Sequence, residues 1–337
     1  MSSPARGPAL EFRDVHITYR GADGDVPAVR GVNLTVEAGS SLGIAGESGS
    51  GKSTLISTVL RLQPKSAKVS GQVMVDGEDV LGMTFGRLRA LRWAEASIVF
   101  QGALHGLNPL RRIGEQIAEP ISVHEPKATK AETTRRVGEL LEQVGLPQAR
   151  ARAYPHQLSG GQRQRIMIAM ALACRPRLIV ADEPTTALDV MVQAQVLSVL
   201  TDLVDQLDLT LVLISHDLSV LADVCHRAAV MYAGQVVESG PAADVFERST
   251  HPYSRALAGA FPRIGDRSFR YAPSGLPGDP PFPGDVGAGC PFQPRCPVAR
   301  EDCTEGDFPL VQVAGDQKSA CRYPLRATTA AGQEARP

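Results

Sequence analysis

The eight residues Gly46-Glu47-Ser48-Gly49-Ser50-Gly51-Lys52-Ser53 fit the pattern G-x-x-x-x-G-K-[ST] of a phosphate-binding loop, which has meaning only between a buried strand and the start of a helix. Both flanks are present. Ser41-Leu-Gly-Ile-Ala45 is short and mostly apolar, as a strand covered on both faces must be, and Thr54-Leu-Ile-Ser-Thr-Val-Leu60 continues as a helix. Gly46, Gly49 and Gly51 let the backbone curl so that successive N–H groups converge on phosphate oxygens at the positive end of that helix. Lys52 is then placed for the β- and γ-phosphates and the Ser53 hydroxyl for Mg²⁺, with Glu47, Ser48, Ser50 and Thr54 completing the lining. The expected fold class is therefore α/β with a phosphate-loop core.

With 337 residues, 43% of them hydrophobic, the chain can bury a large core. Its 35 basic and 36 acidic residues nearly cancel, which argues against a nucleic-acid partner or an anionic membrane surface. The first residues carry no apolar signal segment, and no window approaches ~18 uninterrupted apolar residues. The expectation is a cytosolic chain that meets a membrane only through a partner. Cys174 and Cys225 stand alone and read as small buried residues, whereas Cys290, Cys296, Cys303 and Cys321 crowd together near the C-terminus. In a reducing compartment that crowding suggests a metal or iron–sulfur centre more than disulfides.

Leu10 to Tyr19 alternates apolar and polar residues, as a half-exposed antiparallel strand does, and further strands are expected near 28–36 and at Gln72–Asp76, closed by an Asp-Gly turn. From Gln101 the pattern becomes helical. One helix is expected from Ile113 up to Pro120, another from Lys130 to Val144, and a third opening at Ser159 and blocked by Pro176. Leu178-Ile-Val-Ala181 and Leu209 to Ser215 then read as buried parallel strands ending in Asp182-Glu183 and His216-Asp217, at the edge where open α/β sheets place their ligands. A hairpin through Ala233-Gly234 and a short helix from Ala242 lead into a proline- and glycine-rich stretch, expected to be a linker or an extended wrap.

Leu158-Ser159-Gly160-Gly161-Gln162 gives Ser159 as a helix cap followed by bare backbone, a second anion-binding end in the same chain. Here the sequence resembles the ATP-binding subunits of ABC transporters, whose signature is Leu-Ser-Gly-Gly-Gln. The resemblance implies two cassettes dimerised head to tail, with Ser159, Gly160, Gly161 and Gln162 facing the γ-phosphate of ATP on the partner's loop. It further implies that Asp182 binds Mg²⁺ through water, and that Glu183 acts as general base on the attacking water. Gln101 resembles the glutamine that senses Mg²⁺ and that water, and His216 the histidine that contacts the γ-phosphate. Asp189 resembles the aspartate that faces the partner cassette, and Tyr19 the aromatic residue that stacks on adenine.

Leu107-Asn108-Pro109 with Ile113-Gly-Glu-Gln-Ile117, then His251-Pro-Tyr-Ser-Arg255, and finally the four cysteines resemble the ATPases of oligopeptide, dipeptide and nickel permeases. That branch usually carries Asp-Pro after the glutamine where this chain has Gly102-Ala103. The resemblance implies an ATPase over 1–240 with a helical part at about 102–170, and an extension over 241–337. Implied partners are a second, related ATPase chain, two transmembrane permease subunits and, through them, an extracytoplasmic substrate-binding protein, at the cytoplasmic face of the membrane. For Cys290, Cys296, Cys303 and Cys321 it points to a [4Fe–4S] cluster, with Zn²⁺ or free thiols as alternatives. Rival classes are a non-transport ABC ATPase acting on DNA or ribosomes, a nickel importer, and a chain that binds ATP without turnover. The single cassette and balanced charge weigh against the first, and intact Glu183 and His216 against the last.

Overall fold

The computed structural model describes residues 7–21, 24–102, 106–186, 188–260 and 276–326. Ala103, and the part of the proline- and glycine-rich stretch at 261–275, lie outside the described residues. Among the described residues the chain forms twelve strands and nine α-helices. The first sheet is antiparallel, in the order β2 (Gly24–Glu37), β1 (Pro8–Gly21), β4 (Ala67–Val75) and β5 (Glu78–Asp79). The second holds β6 (Ala96–Val99), β7 (Leu178–Asp182), β8 (Thr210–Ile214), β3 (Ser41–Ala45) and β9 (Arg227–Tyr232), all parallel, and continues antiparallel through β10 (Gln235–Pro241), β12 (Gln317–Ser319) and β11 (Val311–Ala314).

Alternation along the parallel strands divides the core in two. Leu42, Ile44, Val180, Val212, Ile214, Ala229 and Met231 face the first sheet and the helix α1 (Lys52–Ser57). Ile179, Ala181, Leu211, Leu213, Ala228 and Val230 face the helical layer. That layer holds α3 (Ile113–His124), α4 (Lys130–Gln143), α5 (Gly160–Ala171) and α6 (Val190–Leu207), while α2 (Phe85–Leu91) lies by the first sheet. Helix α4 starts at Thr129, whose side chain closes a capping box with Glu132, and buries Val137, Leu140 and Leu141. Helix α3 runs through Pro120, where the sequence pattern ends it. Ile117 and Ile121, 0% and 1% exposed, pack the face on either side of the proline. That burial outweighs the ladder hydrogen bond the proline cannot donate.

The remaining short helices, α7 (Leu218–Val224), α8 (Ala242–Glu247) and α9 (Pro252–Ala260), lead into the C-terminal segment. That segment is stitched onto the core sheet. β12 pairs with β10 at Glu238↔Ser319, and the fully buried Glu238 carboxylate accepts from the N–H and hydroxyl of Thr250, the N–H of His251 and the amide of Gln317, at 2.7, 2.9, 3.1 and 2.7 Å. His251 is buried beside it, and its Nδ1 accepts from the N–H of Tyr253 at 3.1 Å.

Burial pushes the His251 imidazole down from 6.5 to about 3. Between those values an unfolded chain binds a proton that the folded chain refuses, so stability falls as pH drops below 6.5. From pH 7 to pH 5 this one group should cost about 2 kcal/mol, read from urea denaturation at the two pH values. The decline should be shallower in His251→Phe; an equal decline would assign the acid sensitivity elsewhere.

Candidate nucleotide site

Register brings distant residues to one edge of the parallel sheet. Ile44 of β3 lies level with Ile214 of β8, and Ile214 with Asp182 of β7, so the phosphate loop, Asp182-Glu183 and Ser215-His216 all leave the sheet together. Val99 of β6 is level with Ala181, which places Gln101 beside Glu183 two residues further on. The contacts follow that register. Gln101 Nε2 donates to Glu183 Oε2 at 3.0 Å, Thr186 Oγ1 donates to the same oxygen at 2.9 Å, and His216 Nδ1 stands 3.8 Å from it. Glu183 adopts φ 43, a left-handed conformation uncommon for a residue with a side chain, and its N–H closes onto the Ile214 carbonyl at 3.0 Å. Thr186 carries no signal of its own in the sequence.

The loop is tightly built. Gly46 has φ 147, and a Cβ there would lie 2.3 Å from the Met231 carbonyl oxygen, so no other residue fits. Lys52 is buried, and its ammonium donates to the Gly46 and Glu47 carbonyls at 2.7 and 2.8 Å and to Ser50 Oγ at 3.2 Å. Burial lowers its pKa, opposed by the charges of Glu183, Asp182 and Glu47. Ser53 Oγ donates to Asp182 Oδ1 at 3.0 Å, and burial raises the Asp182 pKa against that hydrogen bond. A hydroxyl and a carboxylate in contact beside a buried lysine form a hard-oxygen pair of the kind Mg²⁺ prefers, so these residues fit that ion. Ser48 and Gly49 are exposed at the tip of the loop, and Tyr19 lies close, its hydroxyl 3.4 Å from Thr54 Oγ1.

The signature segment caps helix α5. Ser159 Oγ accepts from the N–H of Gln162 at 3.3 Å, and the Gln162 side chain returns the bond to the Ser159 N–H at 3.2 Å. Gly161 has a packing reason that the sequence does not reveal: a Cβ there would lie 2.3 Å from Val192 Cγ1, so its bareness lets α5 approach α6. Asp189 caps α6, its carboxylate accepting from the Val192 N–H at 3.0 Å. Ser159, Gly160 and Asp189 are exposed, next to Val190 and Met191, which are 70% and 72% exposed.

The cysteine expectation is corrected. Cys290, Cys296, Cys303 and Cys321 do meet around one space, but it measures only about 20 Å³ and is closed by Pro252, Phe292 and Phe308. That is room for about one water. The thiols are free, and burial pushes Cys290 up to about 11 and raises Cys296 and Cys321. Among the described residues no group of three or more His, Cys, Asp or Glu side chains could hold a metal ion. Neither the iron–sulfur cluster nor the zinc alternative stands; Cys303 is buried and Cys290, Cys296 and Cys321 are half-buried around that space. Cys225 is buried and Cys174 partly so, their thiols pushed up to about 12 and about 11 by the same cause.

The same segment also reaches the phosphate loop. Arg295, between the first two of those cysteines, forms a two-pronged ion pair with Glu47 of the phosphate loop at 2.8 and 2.9 Å. The Glu47 side chain is thus turned toward the C-terminal segment.

A phosphate loop, an acidic strand end, a glutamine and a histidine around one carboxylate, and a capped Ser-Gly-Gly-Gln helix define an ATP-binding cassette. Residues 29–186 match the ABC transporter family, and residues 237–303 match the oligopeptide/dipeptide transporter C-terminal region. The chain is 42% identical over 318 residues to the oligopeptide transport ATP-binding protein OppD of Salmonella typhimurium, across 94% of each. It is 44% identical to the protein of that name from Mycobacterium tuberculosis, across 93% of this chain and 52% of that one. Its fold is similar to the dimeric ATP-binding cassette MJ0796 in a post-hydrolysis state bound to ADP and Pi, with TM-score 0.63 and 30% identity across 69% of this chain and 98% of that one. It is similar also to cbiO1 of Clostridium perfringens, part of the transporter complex cbiONQ, with TM-score 0.61 and 26% identity across 71% and 91%. The chain belongs to the ATP-binding subunits of ABC transporters, in their oligopeptide and dipeptide branch.

Proposed function

We propose that this chain hydrolyses ATP to drive uptake of peptides through separate membrane subunits, and that residues 1–240 form the cassette and 241–337 its extension. The observation that carries the catalytic part is the Glu183 carboxylate, fixed by Gln101 and Thr186 at the sheet edge that also carries Lys52, Ser53 and Asp182. Loop N–H groups and Lys52 bind and orient the phosphates. Tyr19 stacks on the adenine. Ser53, Asp182 and Gln101 would hold Mg²⁺, which when bound neutralises phosphate charge. Glu183 takes the proton of the water that attacks the γ-phosphorus, the bond from that phosphorus to the β,γ-bridging oxygen breaks, and ADP and phosphate leave. His216, beside Glu183, orients the γ-phosphate.

Among the described residues no helix is long and apolar enough to cross a membrane, and the transport relatives and the matching C-terminal region support permease partners. The chain sits against them at the cytoplasmic face, peripherally, in a complex fed by a substrate-binding protein. The exposed Ser159, Gly160 and Asp189, beside exposed apolar Val190 and Met191, support a face-to-face arrangement with a second cassette, a related chain. Peptide as the cargo is supported by the names of the relatives and the matching C-terminal region. In vesicles carrying the assembled complex, Ser159→Arg should abolish ATP-driven peptide uptake, because a guanidinium takes the place where the partner's γ-phosphate must sit. ATP binding to the isolated chain should persist. Loss of that binding would place the signature in this chain's own site instead.

A further inference from the structure

Glu47 is the most heavily anchored residue of the phosphate loop. Its carboxylate pairs with Arg295 through both oxygens, and the two side chains are only 20% and 6% exposed. Its N–H donates to the Tyr253 hydroxyl at 2.9 Å, and its carbonyl accepts from Lys52 at 2.8 Å. Every polar group of this residue is therefore engaged, two of them by the C-terminal segment and the third by the lysine that meets phosphate.

The far side of these contacts is closely packed. Arg295 also donates to the Tyr232 hydroxyl at 3.2 Å and to the Pro277 carbonyl at 2.8 Å. Tyr232, Tyr253 and Phe292 are nearly fully buried, with ring centroids 4.4 to 5.4 Å apart. Arg295 lies within 6 Å of the faces of Tyr232 and Phe292, at 5.8 and 5.9 Å. A guanidinium fork matched to a carboxylate fixes orientation as well as charge.

We propose that Arg295 and Tyr253 are positioning residues for ATP: through Glu47 the C-terminal segment sets the loop's conformation, and with it the affinity for nucleotide. The proposal rests on the reading of the loop as the ATP site. It gives the C-terminal region a role in the chemistry of the cassette, exerted from outside the pocket. Displacing Glu47 moves the carbonyl that holds Lys52, so the lysine is no longer held where the phosphates need it.

Calorimetric titration of the full chain with Mg·ATP tests this, alongside circular dichroism to follow folding. Arg295→Gln and Glu47→Gln should each weaken ATP binding on the order of 10-fold. The double variant should be no weaker than the worse single, because both remove one shared contact. Arg295→Lys, which keeps the charge but loses the fork, should fall between wild type and Arg295→Gln. Glu47→Gln leaves the C-terminal segment's own residues intact and keeps the test open if Arg295→Gln does not fold. Wild-type affinity in Glu47→Gln, or losses that simply add in the double variant, would overturn the proposal. In that case Lys52→Ala, which should lose binding, shows that the reading of the ATP site survives. A wild-type chain that does not bind Mg·ATP overturns both.

Discussion

Glu183→Gln is expected to retain ATP binding and to lose turnover by about 10²-fold or more, the contribution of a positioned general base. The substitution is nearly isosteric. Its amide oxygen can still accept from Gln101 and Thr186, whose contacts at 3.0 and 2.9 Å fix the side chain, so the geometry survives and only the ability to take a proton is lost. Lys52, Ser53 and Asp182 are untouched, which is why binding should remain. Single-turnover hydrolysis with the partner cassette silenced separates the two effects. Near-normal turnover would remove Glu183 from the base role, leaving it as a carboxylate that merely organises Gln101 and Thr186.

The second large effect is expected from Lys52→Ala, which should weaken ATP by about 10²-fold or more, as loss of a preorganised phosphate clamp does. Two losses combine. The cation that faces the phosphates is gone, and the Gly46 and Glu47 carbonyls and Ser50 Oγ lose the donor that knits the loop at 2.7 to 3.2 Å. Thermal unfolding should shift far less than affinity, because the apolar core above the loop, with Leu55 and Ile56 nearly fully buried, does not involve the lysine. A large drop in melting temperature with unchanged affinity would mean that Lys52 is structural only.

Much of this site was legible because phosphate binding imposes local rules on adjacent residues. Gly46 to Ser53 needs its glycines and lysine in fixed order, and Asp182-Glu183 and His216 follow apolar runs too short to be anything but buried strands. Two expectations failed where local rules gave way to packing. Pro120 does not end its helix, because burial of Ile117 and Ile121 outweighs one missing hydrogen bond. The four cysteines close around a space of about 20 Å³, and spacing along the chain cannot report how closely side chains will close on one another.

The sequence alone determined the chemistry of the ATP site, since its donors and carboxylates lie in short motifs whose residue types follow from the ligand. It determined the alternation that buries one face of β1 and both faces of β3, β7 and β8. Only the tertiary structure decided that Gln101 meets Glu183 across 82 residues and Arg295 meets Glu47 across 248. The first meeting depends on the register of β6 against β7. The second depends on the segment bearing Arg295 folding back so that Phe292 packs on Tyr232 and Tyr253. Both are set by the summed burial of apolar surface over the whole fold, and no short stretch of sequence carries that sum.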